Sequence, residues 1–213
     1  MDVSRLRGER ILDIGCDTGA FLSRARSEFG VCPVGVDVAG QAVAIAREQG
    51  IEAYQTTIEQ APEHLTHFPL ITAIDVIEHV PAPREFLGEL LRRVRPGGLV
   101  FLQTPNIRSM VYRISQCLAF LTGSRPLAFF ERVFPAQHVQ YFTPESLARF
   151  AQEVGFQVIQ SGTHVLPASD IAVSIPVLVP MQALQFLDTL LRREILIWSI
   201  LRRPESAGKE EIV

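Results

Sequence analysis

RILDIGCDTGAF, residues 10 to 21, runs an apolar strand into a glycine loop and then into the start of a helix. Gly15 and Gly19 stand four apart, and Asp17 lies between them where many such loops carry a third glycine. A strand-to-helix turn of this kind gathers backbone N–H groups at the carboxyl end of a sheet, where α/β proteins bind ligands. The nicotinamide dinucleotide fingerprint would read G-x-G-x-x-G, so the spacing here argues against an oxidoreductase of that type.

Working outward, strand-like and helix-like segments alternate. RILDIG is followed by a helical GAFLSRARSEFG, then CPVGVDV, a helical GQAVAIAREQG and IEAYQT. That rhythm predicts βαβ units around a parallel sheet. Helical spacing places Phe21, Leu22, Ala25 and Phe29 on one packing face, and Ala42, Val43, Ile45 and Ala46 on the next. A fourth strand, LITAIDV, precedes a helix from Pro83 to Val94 that carries Phe86, Leu87, Leu90, Leu91 and Val94. RPGG then reads as a turn into a fifth strand, LVFLQT. Thr143 caps a later helix with Pro144 at its first position and Gly155 at its end, and the strand FQVIQSG follows. PMQALQFLDTLLRR reads as an amphipathic helix and EILIWSILRR as the last strand. The expected organisation is one domain over 1–203 with a helical lid insertion at 107–142, an insertion at 163–193 before the last strand, and a tail at 204–213.

Composition narrows the function. The chain has 213 residues and a formal net charge of −3, with no long basic run, which disfavours nucleic acid as a partner. Cys16, Cys32 and Cys117 show no metal spacing and suit a reducing, cytoplasmic setting as small buried or half-buried thiols. No stretch has the roughly 18 apolar residues of a span. Peripheral membrane contact is left to Met110–Phe134 and Ile171–Trp198.

An acidic residue two positions before the first glycine, a glycine four later, and Asp37 at the end of the second strand make a different pattern from the dinucleotide one. Here the chain resembles the class I S-adenosylmethionine-dependent methyltransferases, whose first motif is D/E-x-G-x-G-x-G. GVDVAG is similar to their second-strand motif. AIDVIEHVPAPREFLGELLRRVRPGGLVFLQTPN and HVQYFTPESLARFAQEVGFQVIQ resemble blocks of the subgroup that includes ubiquinone-biosynthesis O-methyltransferases and polysaccharide-cluster methyltransferases. The resemblance covers about 8 to 165. It implies a Rossmann-like, doubly wound seven-stranded sheet with its last strand antiparallel, S-adenosylmethionine as cofactor, and methyl transfer to an oxygen or nitrogen of a small, lipid-linked, quinone-like or sugar-like acceptor.

The expected cofactor set is Asp13, Gly15, Cys16, Gly19, Asp37, Thr57, Ile58 and Asp75. The resemblance implies that Asp37 holds the ribose, that Thr57 or Ile58 flanks the adenine, and that Asp75 lies near the methionine end. For catalysis, DVIEHV offers Asp75, Glu78 and His79 and FPAQHVQYF offers His138; the histidines His79 and His138 are preferred, because an unperturbed imidazole titrates near neutrality. The resemblance also implies a divalent cation at Asp75, Glu78 and His79. The adopted reading assigns no metal, with Glu78 capping and His79 packing. Tyr112, Phe120, Phe129, Phe130, Phe134, Tyr141 and Phe142 form an acceptor wall, or else cover the sheet edge or a dimer interface. His64, His67 and His164 read as solvated, and Arg92, Arg93 and Arg95 as a solvated helix end. The first strand starts at Arg10, where relatives usually carry a covering helix, which points to an open site, a second copy or partner chain, or a truncated start. The competing reading is a non-catalytic S-adenosylmethionine-binding scaffold or partner subunit.

Overall fold

The computed structural model describes residues 3–123, 134–165, 186, 188–190 and 193–205. Its strands are β1 (Arg10–Ile14), β2 (Cys32–Asp37), β3 (Glu52–Gln55), β4 (Phe68–Ile74), β5 (Val94–Pro105), β6 (Gln157–His164) and β7 (Leu196–Arg202). The helices are α1 (Ala20–Phe29), α2 (Gly40–Glu48), α3 (Pro83–Arg93), α4 (Met110–Thr122) and α5 (Pro144–Val154), with 3-10 turns at Val3–Leu6 and Ile77–His79. The sheet order is β3-β2-β1-β4-β5-β7-β6, and β7 runs antiparallel to both β5 and β6. Strand order reverses between β1 and β4, which opens a crevice beyond their carboxyl ends.

Alternation along the strands divides the core in two. Leu12, Ile14, Ile71, Ala73, Val100, Leu102, Ile197 and Leu201 face α3 and α5, where Phe86, Leu87, Leu90, Leu147 and Ala151 meet them. Each Val, Leu, Ile or Phe side chain among them contributes about 1.5–3 kcal/mol by leaving water. On the other face Ile11, Val31 and Ala53 pack with Leu22 and Ala25 of α1 and Val43 and Ala46 of α2. α5 begins with a capping box: Ser146 N–H donates to Thr143 Oγ1 at 3.1 Å and Thr143 N–H to Ser146 Oγ at 2.9 Å.

Several expectations need correction. Phe21, Phe29 and Ile45 are more than two-fifths exposed, because only the centres of these short helices reach the sheet. RPGG lies inside β5 as a bulge: Phe68 pairs with Val94 and Leu70 with Leu99. Gly97 takes φ +72°, and a Cβ on Gly98 would come within 3.0 Å of the Phe68 carbonyl. Arg203 stitches this bulge to the end of β7, donating to the carbonyls of Leu91 and Val94.

Arg93 is buried with no exposure at all. It donates to the carbonyls of Ile58, Ala61, Pro62 and Leu65 and pairs with Glu89. It therefore holds the chain that leaves β3 rather than ending a helix in solvent. Cys32 and Cys117 are exposed; Cys16 is buried. Of the 107–142 segment, α4 is seen to follow β5, and Phe129 and Phe130 lie outside the described residues. Most of 163–193 and the tail beyond Glu205 also lie outside them, and β6 continues to His164, into the expected insertion.

Candidate functional site

Gly15 leaves β1 in the left-handed region, at φ +71°, and its N–H donates to the Val36 carbonyl at 2.8 Å. A Cβ there would sit 2.5 Å from Val76 Cγ2, so the loop passes too close to the end of β4 for any side chain. Asp17 also takes a left-handed φ, +47°, an angle more natural to glycine. Its N–H donates to Asp37 Oδ2 at 2.8 Å, while Asp37 Oδ1 accepts from Ala39 N–H at 2.8 Å. Asp37 thus buckles the two loops together, and each of its oxygens keeps a further lone pair.

A cavity of about 600 Å³ opens at this crevice, and its wall includes Gly15, Asp37, Thr57, Ile58, Asp75 and His79. Six of the ten predicted site residues meet there. Asp13, Cys16 and Gly19 are buried off this wall. Asp13 accepts from Thr72 Oγ1 at 2.5 Å; burial pushes its carboxyl up to about 7, against that hydrogen bond and helped by the Asp37 charge. Burial, with the Asp13 and Asp37 charges, pushes the Cys16 thiol up to about 12, and its sulfur packs where a Cβ on Gly35 would fall. Asp75 takes φ +55°, and burial raises its carboxyl; Gln103 Nε2 donates to it at 3.4 Å.

The Ile77–His79 turn carries the rest. Glu78 is 1 % exposed and accepts from Thr104 Oγ1 at 2.9 Å, and burial pushes its carboxyl up to about 7. Its backbone carbonyl accepts from Val139 and Gln140, which docks the segment bearing His138. The His138 ring meets that of His79 edge-on with centroids 4.7 Å apart. Burial, then the neighbouring His79, keeps the His138 imidazole below its ordinary range. Tyr141 lies edge-on to His138, and with Tyr112 and Phe134 it makes an aromatic cluster at the same end.

Among the described residues, the ligand-capable atoms of Glu78, His79 and His138 lie within 4.8 Å of one another, whereas Asp75 is not part of that group. Sequence spacing could not reveal this, because His138 arrives from a distant segment. A second cavity, of about 620 Å³, lies on the α1/α2 face of the sheet between Phe21, Leu70, Phe101, Ile159 and Ile200; it carries none of the predicted site residues. No helix among the described residues is long and apolar enough to cross a membrane.

A family model described as a methyltransferase domain matches residues 3–161. A ubiquinone biosynthesis O-methyltransferase of Aeromonas salmonicida (strain A449) is 34% identical over 173 residues, 78% of this chain and 70% of that protein. One of Aromatoleum aromaticum is 30% identical over 162 residues, 73% and 67% of the two chains. Among solved structures, phosphoethanolamine N-methyltransferase 2 of Haemonchus contortus, in complex with S-adenosyl-L-methionine, aligns with TM-score 0.68 and 18% identity over 95% of this chain and 51% of that chain. A putative methyltransferase of Haloferax volcanii, in complex with the Trm112 methyltransferase activator, aligns with TM-score 0.67 and 13% identity over 95% and 87%. At those identities the two structures speak to the fold alone; this chain spans about half of the first.

Proposed function

The chain belongs to the methyltransferase-domain family, and from that premise we propose that it transfers the methyl group of S-adenosylmethionine to an oxygen of a small, aromatic or quinone-like acceptor. The observation that carries this reading is the single cavity that joins Asp37, Asp75 and His79 at the β1/β4 crevice. The residues fit the cofactor: Gly15 leaves the passage clear, Asp37 retains acceptor capacity for ribose hydroxyls, Thr57 and Ile58 flank the adenine, and Asp75 faces the ammonium end. Bound S-adenosylmethionine supplies an electrophilic methyl group on a sulfonium whose sulfur leaves as a neutral thioether.

The chain's own task is alignment and proton removal. His79 Nδ1 lies 3.0 Å from the Gln137 carbonyl, so Nδ1 carries the hydrogen and Nε2 can accept the acceptor's proton. Burial keeps His138 neutral beside it, ready for the same role. Tyr112, Phe134 and Tyr141 form the apolar wall for the acceptor. α4 turns Leu118, Phe120 and Leu121 to the outside, which suits contact with a lipid-linked acceptor at a membrane surface. The names of the curated relatives support oxygen over nitrogen.

The test is release of S-adenosylhomocysteine across a panel of phenols, catechols, sugars and amines. Turnover confined to sugars or amines would overturn the acceptor class. A second reading, a cofactor-binding partner subunit, is favoured by the apolar cavity on the face of β4, β5 and β7. Binding of S-adenosylmethionine with no turnover on any acceptor would select it.

A further inference from the structure

Three chain segments meet at Asn106, which is 1 % exposed. Its N–H and its Nδ2 donate to the carbonyls of Ile195 and Glu194 at 2.7 and 2.9 Å, and its Oδ1 accepts from Arg108 N–H at 3.0 Å. The next residue, Ile107, donates its N–H to the Phe142 carbonyl at 3.1 Å, one residue before the cap of α5. These bonds fix the turn into α4, the entry to β7 and the start of α5 against one another. Where they meet, a cavity of about 760 Å³ opens, within the size range of small-molecule sites. Its wall carries three arginines, Arg108, Arg113 and Arg193, and among the described residues one acidic side chain, Glu145.

The charges on that wall do not cancel. Arg108 Nη1 donates to Glu145 Oε1 at 2.6 Å, which occupies one of the five donors of its guanidinium. The Arg113 and Arg193 side chains make no hydrogen bond or ion pair among the described residues. Other carboxylates close in sequence are engaged elsewhere: Asp188 accepts from Met110 N–H, Glu194 accepts from Thr163 Oγ1, and neither lines the cavity. Three guanidiniums facing one carboxylate repel one another, and an anion between them offsets that repulsion. The planar fork of a guanidinium matches phosphate oxygens two at a time.

We propose that the cavity of Arg108, Arg113 and Arg193 binds a phosphate or diphosphate group. Arg113 follows Tyr112 on α4, so the same ligand steadies the helix that contributes to the acceptor wall. This site goes beyond the methyl-transfer reading and does not rest on it. The test is calorimetric titration of the full chain with inorganic pyrophosphate, with S-adenosylmethionine titrated into the same samples. One pyrophosphate should bind per chain, more weakly as salt is raised. Arg113→Gln and Arg193→Gln should each lower its affinity at least about 10-fold, because charge-assisted hydrogen bonds to the anion are lost. Glu145→Gln removes the competing carboxylate and should raise affinity roughly threefold. Arg24→Gln on α1 changes the net charge as much as either arginine variant and should stay within about twofold. Circular dichroism checks the fold of each variant, and the three cavity substitutions give independent readings if one of them unfolds. Sedimentation with phosphatidylcholine vesicles, with and without phosphatidic acid, separates the sources of the phosphate. Binding to the phosphatidic acid vesicles that pyrophosphate competes away assigns a lipid head group; pyrophosphate binding with no vesicle binding assigns a soluble phosphate compound. No pyrophosphate binding by the wild type, undiminished affinity in either cavity arginine variant, an equal loss in Arg24→Gln, or no gain in Glu145→Gln would overturn the proposal. Pyrophosphate binding without S-adenosylmethionine binding would keep this site and sink the cofactor reading instead.

Discussion

Asp13→Asn makes an informative perturbation, because it removes an ionisation without removing a shape. In the folded chain burial holds the Asp13 proton up to about pH 7, whereas a free carboxyl loses it near 3.8. Between these values the folded state binds more protons than the unfolded one, so this group makes stability fall as pH rises, levelling off above 7. Integrating the two titrations from pH 5 to pH 8 gives a loss of about 2–3 kcal/mol from Asp13 alone. Asparagine keeps an oxygen to accept from Thr72 Oγ1 and never ionises. Glu78, also pushed up to about 7, contributes a slope of the same sign, so the variant should retain roughly half of the wild-type decline. Urea unfolding followed by circular dichroism at pH 5 and pH 8 measures the difference. A variant whose stability falls between those pH values by as much as the wild type's would refute the reasoning, as would one less stable than the wild type at pH 8.

Other substitutions probe the remaining pieces. Gly15→Ala forces a Cβ toward Val76 at φ +71° and should cost about 1–3 kcal/mol in chemical denaturation while weakening S-adenosylmethionine binding; wild-type affinity would remove Gly15 from the site. Arg93→Met leaves the carbonyls of Ile58, Ala61, Pro62 and Leu65 without their donor and should cost about 3 kcal/mol or more, with the residues after β3 losing amide-exchange protection first. Asp17→Gly relieves a left-handed φ but loosens the unfolded chain, so stability should move by less than about 1 kcal/mol and cofactor affinity only modestly. Binding created by that substitution where the wild type has none would mean the loop is defunct.

Much of the fold was legible because its signals are local. The β1 loop, the alternating strands and helices and the Thr143 cap each depend on short patterns with one physical reading, whereas the antiparallel β7 followed from the family resemblance. Arg93 was missed because an arginine in a basic helix end reads as solvated; yet it follows Phe86 and Leu90 at helical spacing and sits on the buried stripe. Phe21, Phe29 and Ile45 failed in the opposite sense, since periodicity names a face and cannot tell how far the sheet extends beneath it. Gly15, Asp37, Asp75 and His79, expected together from strand-end position and from the family resemblance, line one cavity. The meeting of His138 with Glu78 depends on tertiary hydrogen bonds to the Glu78 carbonyl, which leave no trace in sequence spacing. Asp17 also looks different in the structure: its backbone does what the missing glycine would do, and Asp37 holds it there.

The central claim is that the β1/β4 cavity is an S-adenosylmethionine site. Calorimetric titration of the full chain with S-adenosylmethionine and, separately, with NAD tests it most directly. The account predicts, at pH 6 and at pH 8, one S-adenosylmethionine site per chain and none for NAD. Well-folded protein that binds no S-adenosylmethionine at either pH would contradict it.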